Sequence, residues 1–240
     1  MRDQYVGDVS DALKFAFLST LAGNDRRLGV AWYYVPGNDG KSDGRHVEWR
    51  DEPAWQQLDS VLHTGLSSLP ERSVAALERA AIWPDTVMFH REPMPPFAGR
   101  PAWTSRLVQE LRDADLEFLD PDNGIGTDPR KHATMAELQM LRVPGRAMVF
   151  ISFPGRSLPH DQLVQRLHTQ LAAGTGAQNI LTLRTNVSVP RHPGSPFVVQ
   201  RQRWFTIVDT DEVLVARAKD FARALQAVPA VKAQLDHTPS

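Results

Sequence analysis

Residues 101–124 read PAWTSRLVQELRDADLEFLDPDNG and hold a helix, a strand and a loop in that order. Proline opens the helix, where its missing N–H costs nothing, and leucine and valine then recur at helical spacing through residue 114. LEFLD (116–120) is a short apolar strand, and the DPDNGIGTDP after it is turn chemistry throughout. The same alternation continues toward the C-terminus. MAELQML is helical, AMVFISF (147–153) is a buried strand, and HDQLVQRLHTQLAAG (160–174) is a helix stopped by glycine. Toward the N-terminus lie a short strand, TVMFH (86–90), helix candidates after Asp51 and Pro70, and a continuous apolar strand, LGVAWYYV (28–35). The first helix covers DVSDALKFAFLSTLAG, with Val9, Leu13, Phe17 and Leu21 in helical register, Asp8 as cap and Gly23 as stop. Strands alternating with helices predict an α/β fold, a mostly parallel sheet covered on both faces. ILTLRT and RWFTIVD follow one another with no helix between them, which predicts a terminal antiparallel strand. DEVLVARAKDFARALQAV is an amphipathic helix and the last element expected.

The 240 residues, 42% hydrophobic and 23% charged, suit a single α/β domain spanning 1–240. REPMPPFAGRP (91–101) reads as a surface loop within it, because the sheet continues on both sides. The absence of cysteine excludes disulfides, thiolate metal sites and cysteine nucleophiles. No apolar run approaches a membrane span, and the acidic start MRDQYVGDVSD is unlike a secretory signal, so the expected address is the cytoplasm. A net charge of −1 conceals an asymmetry: −7 over residues 1–141 and +7 over 142–206, where eight arginines meet one acid, Asp161. Such a segment suits a phosphate-bearing partner, a nucleic acid or nucleotide, since guanidinium pairs bidentately with phosphate. Arginines scattered over an ordinary surface would give the same count.

Ligands of open α/β sheets sit beyond the carboxyl ends of the strands, which directs attention to the loops 36–44, 120–130 and 154–160. Asp120-Pro121-Asp122-Asn123-Gly124 follows its strand directly, so Asp120 should stand at the strand tip. Two carboxylates, an amide and a glycine that permits close backbone approach suit an amine or a hydrated metal ion. A tight Asx turn would need one such residue rather than three polar ones in four. Gly40-Lys41-Ser42 is no phosphate loop, because position 35 is valine and a turn follows the serine. Asp39 and Asp43 suit a ribose or adenine edge, or simply a solvated loop. Asp8, Asp11 and Lys14 are neighbours on the first helix, fit either for a site or for a cap with an i,i+3 ion pair. Phe153 and Arg156 close a buried strand, the first suited to stacking on a base and the second to a phosphate. No histidine cluster has metal-ligand spacing, and no G-x-S-x-G elbow occurs.

Gly7-Asp8-x-x-Asp11-x-x-Lys14 resembles the Gly-Asn-x-x-Asp-x-x-Lys element of the RlmJ-like ribosomal-RNA adenine-N6 methyltransferases, and FLDPDNG resembles their Asp-Pro-Pro-Tyr motif. The pattern GDxxDxxK, LGVxWY, FLDPDNG resembles more closely a group of bacterial proteins similar in layout to Rossmann-like methyltransferases, the three-Cys-motif partner proteins among them. The resemblance implies a Rossmann-like fold and an S-adenosylmethionine-dependent enzyme acting on nucleic acid or a nucleotide. It implies that Asp120 holds the target amine with Pro121 shaping the loop, and that Gly7, Asp8, Asp11 and Lys14 line the cofactor side. Asp122-Asn123 stands where that motif has Pro-Tyr, so a stacking aromatic must come from Phe153 or a tryptophan.

On this reading Asp120, Asp122 and Asn123 carry the chemistry, and Asp39 and Asp43 join the cofactor contacts. Pro121, Gly124, Lys131, Phe153 and Arg156 meet the substrate. An alternative is a metal-dependent phosphodiesterase or nuclease in which Asp120 and Asp122 hold Mg2+ and Lys131 or Arg156 stabilises developing charge. A second alternative is a non-catalytic module that binds a nucleotide or a partner.

Overall fold

The computed structural model describes residues 1–37, 40, 44–155 and 158–238. Seven strands form one sheet: β1 (Leu28–Trp32), β2 (Met88–His90), β3 (Leu116–Asp120), β4 (Ala147–Ser152), β5 (Ile180–Pro190), β6 (Val198–Val208) and β7 (Val231–Thr238). Their order is β2-β1-β3-β4-β6-β5-β7. β2, β1, β3 and β4 pair in parallel, and β6 then enters antiparallel between β4 and β5, with β7 antiparallel at the edge. Five strands therefore run one way and two the other, a Rossmann-like α/β sheet.

Alternation along the strands explains the layering, since successive side chains point to opposite faces. Leu116 and Phe118 of β3 enter one core with Phe17, Leu21 and Phe221, whereas Leu119 enters the other with Leu107, Leu138 and Leu171. The first core lies beneath α1 (Val9–Ala22) and α8 (Glu212–Ala224), the second beneath α5 (Arg100–Glu110), α6 (Met135–Leu141) and α7 (His160–Thr175). α1 is buried on more than its predicted stripe: Ala12, Lys14, Phe15 and Leu18 are buried as well, because α3 (Ser60–Ser67) and α8 flank it. Each fully buried Leu or Phe contributes roughly 1.5–3 kcal/mol.

Three differences from the sequence reading have local causes. The helix expected after Asp51 is two, α2 (Pro53–Leu58) and α3, because Asp59 leaves helical geometry at φ −156° and its side chain caps α3 at Leu62 N. The segment after Pro70 condenses into one short helix, α4 (Val74–Glu78). The chain continues past α8 into β7, so the sheet ends in a three-stranded antiparallel part.

Candidate functional site

Beyond the carboxyl ends of β1, β3 and β4 opens a cleft of about 690 Å3. Asp120 lies at its floor. Leu116 and Phe118 face α1, so Asp120, two residues on, faces α1 too, at the last β3 position paired with β1, opposite Trp32. There it meets Lys14. The Lys14 Nζ donates to Asp120 Oδ2 at 3.2 Å and lies 3.0 Å from its Oδ1, and it donates to Asp11 Oδ1 at 2.8 Å. All three residues are buried. Burial pushes the Lys14 pKa down, but the two carboxylates more than reverse this and hold the ammonium above the ordinary lysine range. Burial pushes the Asp11 carboxyl up against the pull of Lys14.

Backbone geometry fixes this cluster. Gly7 adopts φ +78°, and its N–H donates to Asp11 Oδ2 at 2.8 Å. Its carbonyl accepts from Trp49 Nε1 and Arg50 Nη2. Asp8 caps α1 through Ser10 N at 2.8 Å, and its other oxygen accepts from His46 N at 3.2 Å. The Met1 amine donates to the carbonyls of Tyr33 (2.7 Å) and Asp120 (3.3 Å) and lies 3.9 Å from Asp122 Oδ1. Asp122 is the more open acid, its side chain 29% exposed. The loop is pinned at Asn123 N, which donates to Lys131 O, and at Gly124 O, which accepts from Ala133 N.

The opposite wall comes from β6 and the end of β4. Arg203 Nε donates to Ser10 Oγ at 2.6 Å, and Ser10 Oγ donates to Asp8 Oδ1 at 2.7 Å. The Arg203 guanidinium lies 4.9 Å from the centre of the Phe153 ring. His160 packs edge-on against Trp204 nearby. The cleft thus has acids in its floor and Lys131, Arg201 and Arg203 along its rim.

Most residues singled out in the sequence come together here: Asp8, Asp11, Lys14, Asp120, Pro121, Asp122, Asn123, Lys131 and Phe153 all line the cleft. Two take other places. Gly7 sits behind the wall and holds Asp11, and Gly124, at φ +87°, packs on β4, where a Cβ would lie 2.5 Å from that of Ser152. Both position the site rather than line it. Asp39, Asp43 and Arg156 lie outside the described residues. The reading missed Tyr5, Ser10, His46, His160 and Arg203, all of which line the cleft. Of these, Arg203 carried the signal of the arginine-rich segment, Ser10 lay inside the GDVSDALK stretch and His160 closed the loop 154–160, whereas Tyr5 and His46 carried none.

That segment divides structurally. Arg142 pairs with Asp209, Arg146 with Glu117, and Arg184 with Asp161 and Asp236, so these three are held by carboxylates. Arg201 and Arg203 reach the cleft. The magnesium alternative meets an obstacle, because both Asp120 oxygens lie within 3.2 Å of the Lys14 ammonium. Among the described residues no group of three or more His, Cys, Asp or Glu could hold a metal ion. Likewise, no helix among them is long and apolar enough to cross a membrane.

Fold and cleft together define the class: a Rossmann-like α/β protein with a charged cleft at the carboxyl ends of its parallel strands. Among solved structures, the chain is similar to a Legionella pneumophila protein described by the family model DUF519. Identity is 9%, coverage is 97% of this chain and 98% of that one, and the TM-score is 0.51. It also matches a precorrin-6y C5,15-methyltransferase from Geobacter metallireducens at 10% identity, over 81% of this chain and 86% of that one, with a TM-score of 0.37. At 9% identity the likeness to the Legionella protein is one of fold. No protein-family model matches the sequence, and no curated protein matches it.

Proposed function

We propose that this chain is an S-adenosylmethionine-dependent, methyltransferase-like enzyme acting on an amine nitrogen of a nucleic acid or nucleotide. The observation that carries the reading is the tip of β3. An aspartate loop at the end of a central parallel strand is tied through buried Lys14 to the first helix and opens on a cleft of about 690 Å3. That volume is typical of small-molecule sites. S-adenosylmethionine would supply an electrophilic methyl group, and the carboxylates of Asp8 and Asp122 suit its positive charge. Lys14 neutralises part of the floor, leaving Asp122 as the exposed acid there.

The residues of the chain divide the work. The carboxylates of Asp120, oriented by Lys14, and of Asp122 accept the two N–H hydrogens of the target amine and aim its lone pair, with the Asn123 amide completing the polar lining beside them. As that nitrogen gains a methyl group it must lose a proton, and the Asp122 carboxylate is the open acceptor. Phe153, 37% exposed, offers a ring for the acceptor base, and Lys131, Arg201 and Arg203 offer charges for phosphates. Asp11, Lys14 and Gly7 act as positioning residues.

Calorimetric titration of the purified protein with S-adenosylmethionine tests this. Micromolar binding is expected, weakened about tenfold or more in Asp8→Ala, the loss of a charged hydrogen-bonding group. No heat at millimolar cofactor would overturn the reading. Binding without turnover on RNA, DNA or nucleotides would favour a non-catalytic nucleotide-binding module.

A further inference from the structure

The β5–β6 hairpin runs on past the strands beside it. β4 ends opposite Trp204 and β7 starts opposite Val187, so the outer part of the hairpin pairs with itself, up to Pro190 opposite Val198. β5 runs in the direction of the parallel strands, so this overhang projects from the edge of the sheet where the cleft opens. Arg201 and Arg203 belong to both the overhang and the cleft wall. From Arg203 to Phe197 the arm extends six residues, roughly 20 Å at strand spacing.

Its chemistry is one-sided. No acid occurs between Asp161 and Asp209, so the arm carries Arg191, Arg201 and Arg203 with no carboxylate of its own. At its tip Phe197 is 70% exposed and Val198 63%. An aromatic among arginines without acids is the composition that binds single strands, bases stacking on the ring and phosphates meeting the guanidiniums. Two apolar side chains fall far short of the roughly 800 Å2 per partner of a stable protein interface. A lone nucleotide seated in the cleft would leave the outer arm empty.

We propose that this arm is a docking surface for single-stranded polynucleotide. A base stacks on Phe197, the phosphates follow Arg191, Arg201 and Arg203, and the strand leads toward the cleft. Only that last step rests on the enzymatic reading above; the docking itself does not.

The test is fluorescence anisotropy with a labelled single-stranded RNA roughly 15 nucleotides long, AMP serving as competitor, on the full chain and on the combined variant Arg191→Ser/Phe197→Ser. Both side chains are exposed, so the variant should fold, and its circular dichroism and melting checks that it does. The parent should bind the RNA far more tightly than AMP competes for it. The variant should bind about tenfold more weakly, with a salt dependence reduced by about one charge, and its S-adenosylmethionine titration should match the parent's. RNA binding no tighter than AMP binding overturns the proposal. So does an unchanged variant, which would place the RNA contacts away from the tip. RNA binding without cofactor binding upholds the arm and removes the methyltransferase reading, so the two fail separately.

Discussion

Lys14 is the residue on which the electrostatics of the cleft floor depend. A buried ammonium costs several kcal/mol unless paired, and this one has two carboxylates at hydrogen-bonding distance. Lys14→Met would leave Asp11 and Asp120 buried without their cation. The expected loss is about 3–5 kcal/mol of stability at pH 7, measured by urea unfolding. It should shrink as the pH falls and the orphaned carboxylates take up protons. Wild-type stability at pH 7 would mean that the cluster is hydrated and the pairing incidental. GDVSDALK and FLDPDNG made these three residues visible in the sequence. That they touch was not, since 106 residues separate Lys14 from Asp120. The bridge from Ser10 to Arg203, across 193 residues, was invisible altogether.

At the scale of elements, strong periodicity translated directly. α1, β3, β4, α7 and α8 form where apolar spacing and caps put them, and β1 forms there too but stops at Trp32, short of the expected end at Val35. β7 did not announce itself: of VKAQLDHT only Val231 is buried, as befits a polar edge strand. What docks it is partly one side chain of α7. His168 bonds Thr238 Oγ1 through Nδ1 and Thr182 Oγ1 through Nε2, each at 2.8 Å, and Thr182 continues to Thr206. His168→Leu should speed amide exchange over 231–238 about tenfold, for the loss of one or two such bonds, and leave β1 and β3 protected. Equal exchange in the two proteins would refute that role. Burial lowers the pKa of His168, so it stays neutral in the fold at pH values where the unfolded chain takes up a proton. Its contribution is full above the ordinary histidine value and is lost as the pH falls through the lowered one, so β7 should loosen in acid.

Over the whole molecule, charge is distributed by folding rather than by chain position. The buried Glu117–Arg146 pair joins β3 to the start of β4, with Arg146 also donating to the carbonyls of Leu111, Arg112, Ala114 and Leu141. Burial pushes the Glu117 carboxyl up to about 7 against the pull of Arg146. A carboxyl raised in the fold keeps a proton that the unfolded chain has released. Its contribution is therefore full below the ordinary glutamate value and is lost as the pH rises through about 7. Glu117→Gln should flatten the stability–pH curve between those limits, measured by denaturant midpoints across that window; an unchanged slope would assign the titration elsewhere. The α/β class, most of its elements and the acidic strand-tip loop were legible along the chain, because hydrophobic periodicity, caps and turn residues act over a few neighbours. The place of β6 between β4 and β5, the pairing of Lys14 with Asp120, and the division between arginines held by carboxylates and those that reach the cleft emerged with the fold. Those outcomes depend on groups brought together from separate elements, 29 residues apart for Arg146 and Glu117 and 106 for Lys14 and Asp120, where pairing in a buried, low-dielectric setting sets the energy and local pattern carries no record of it.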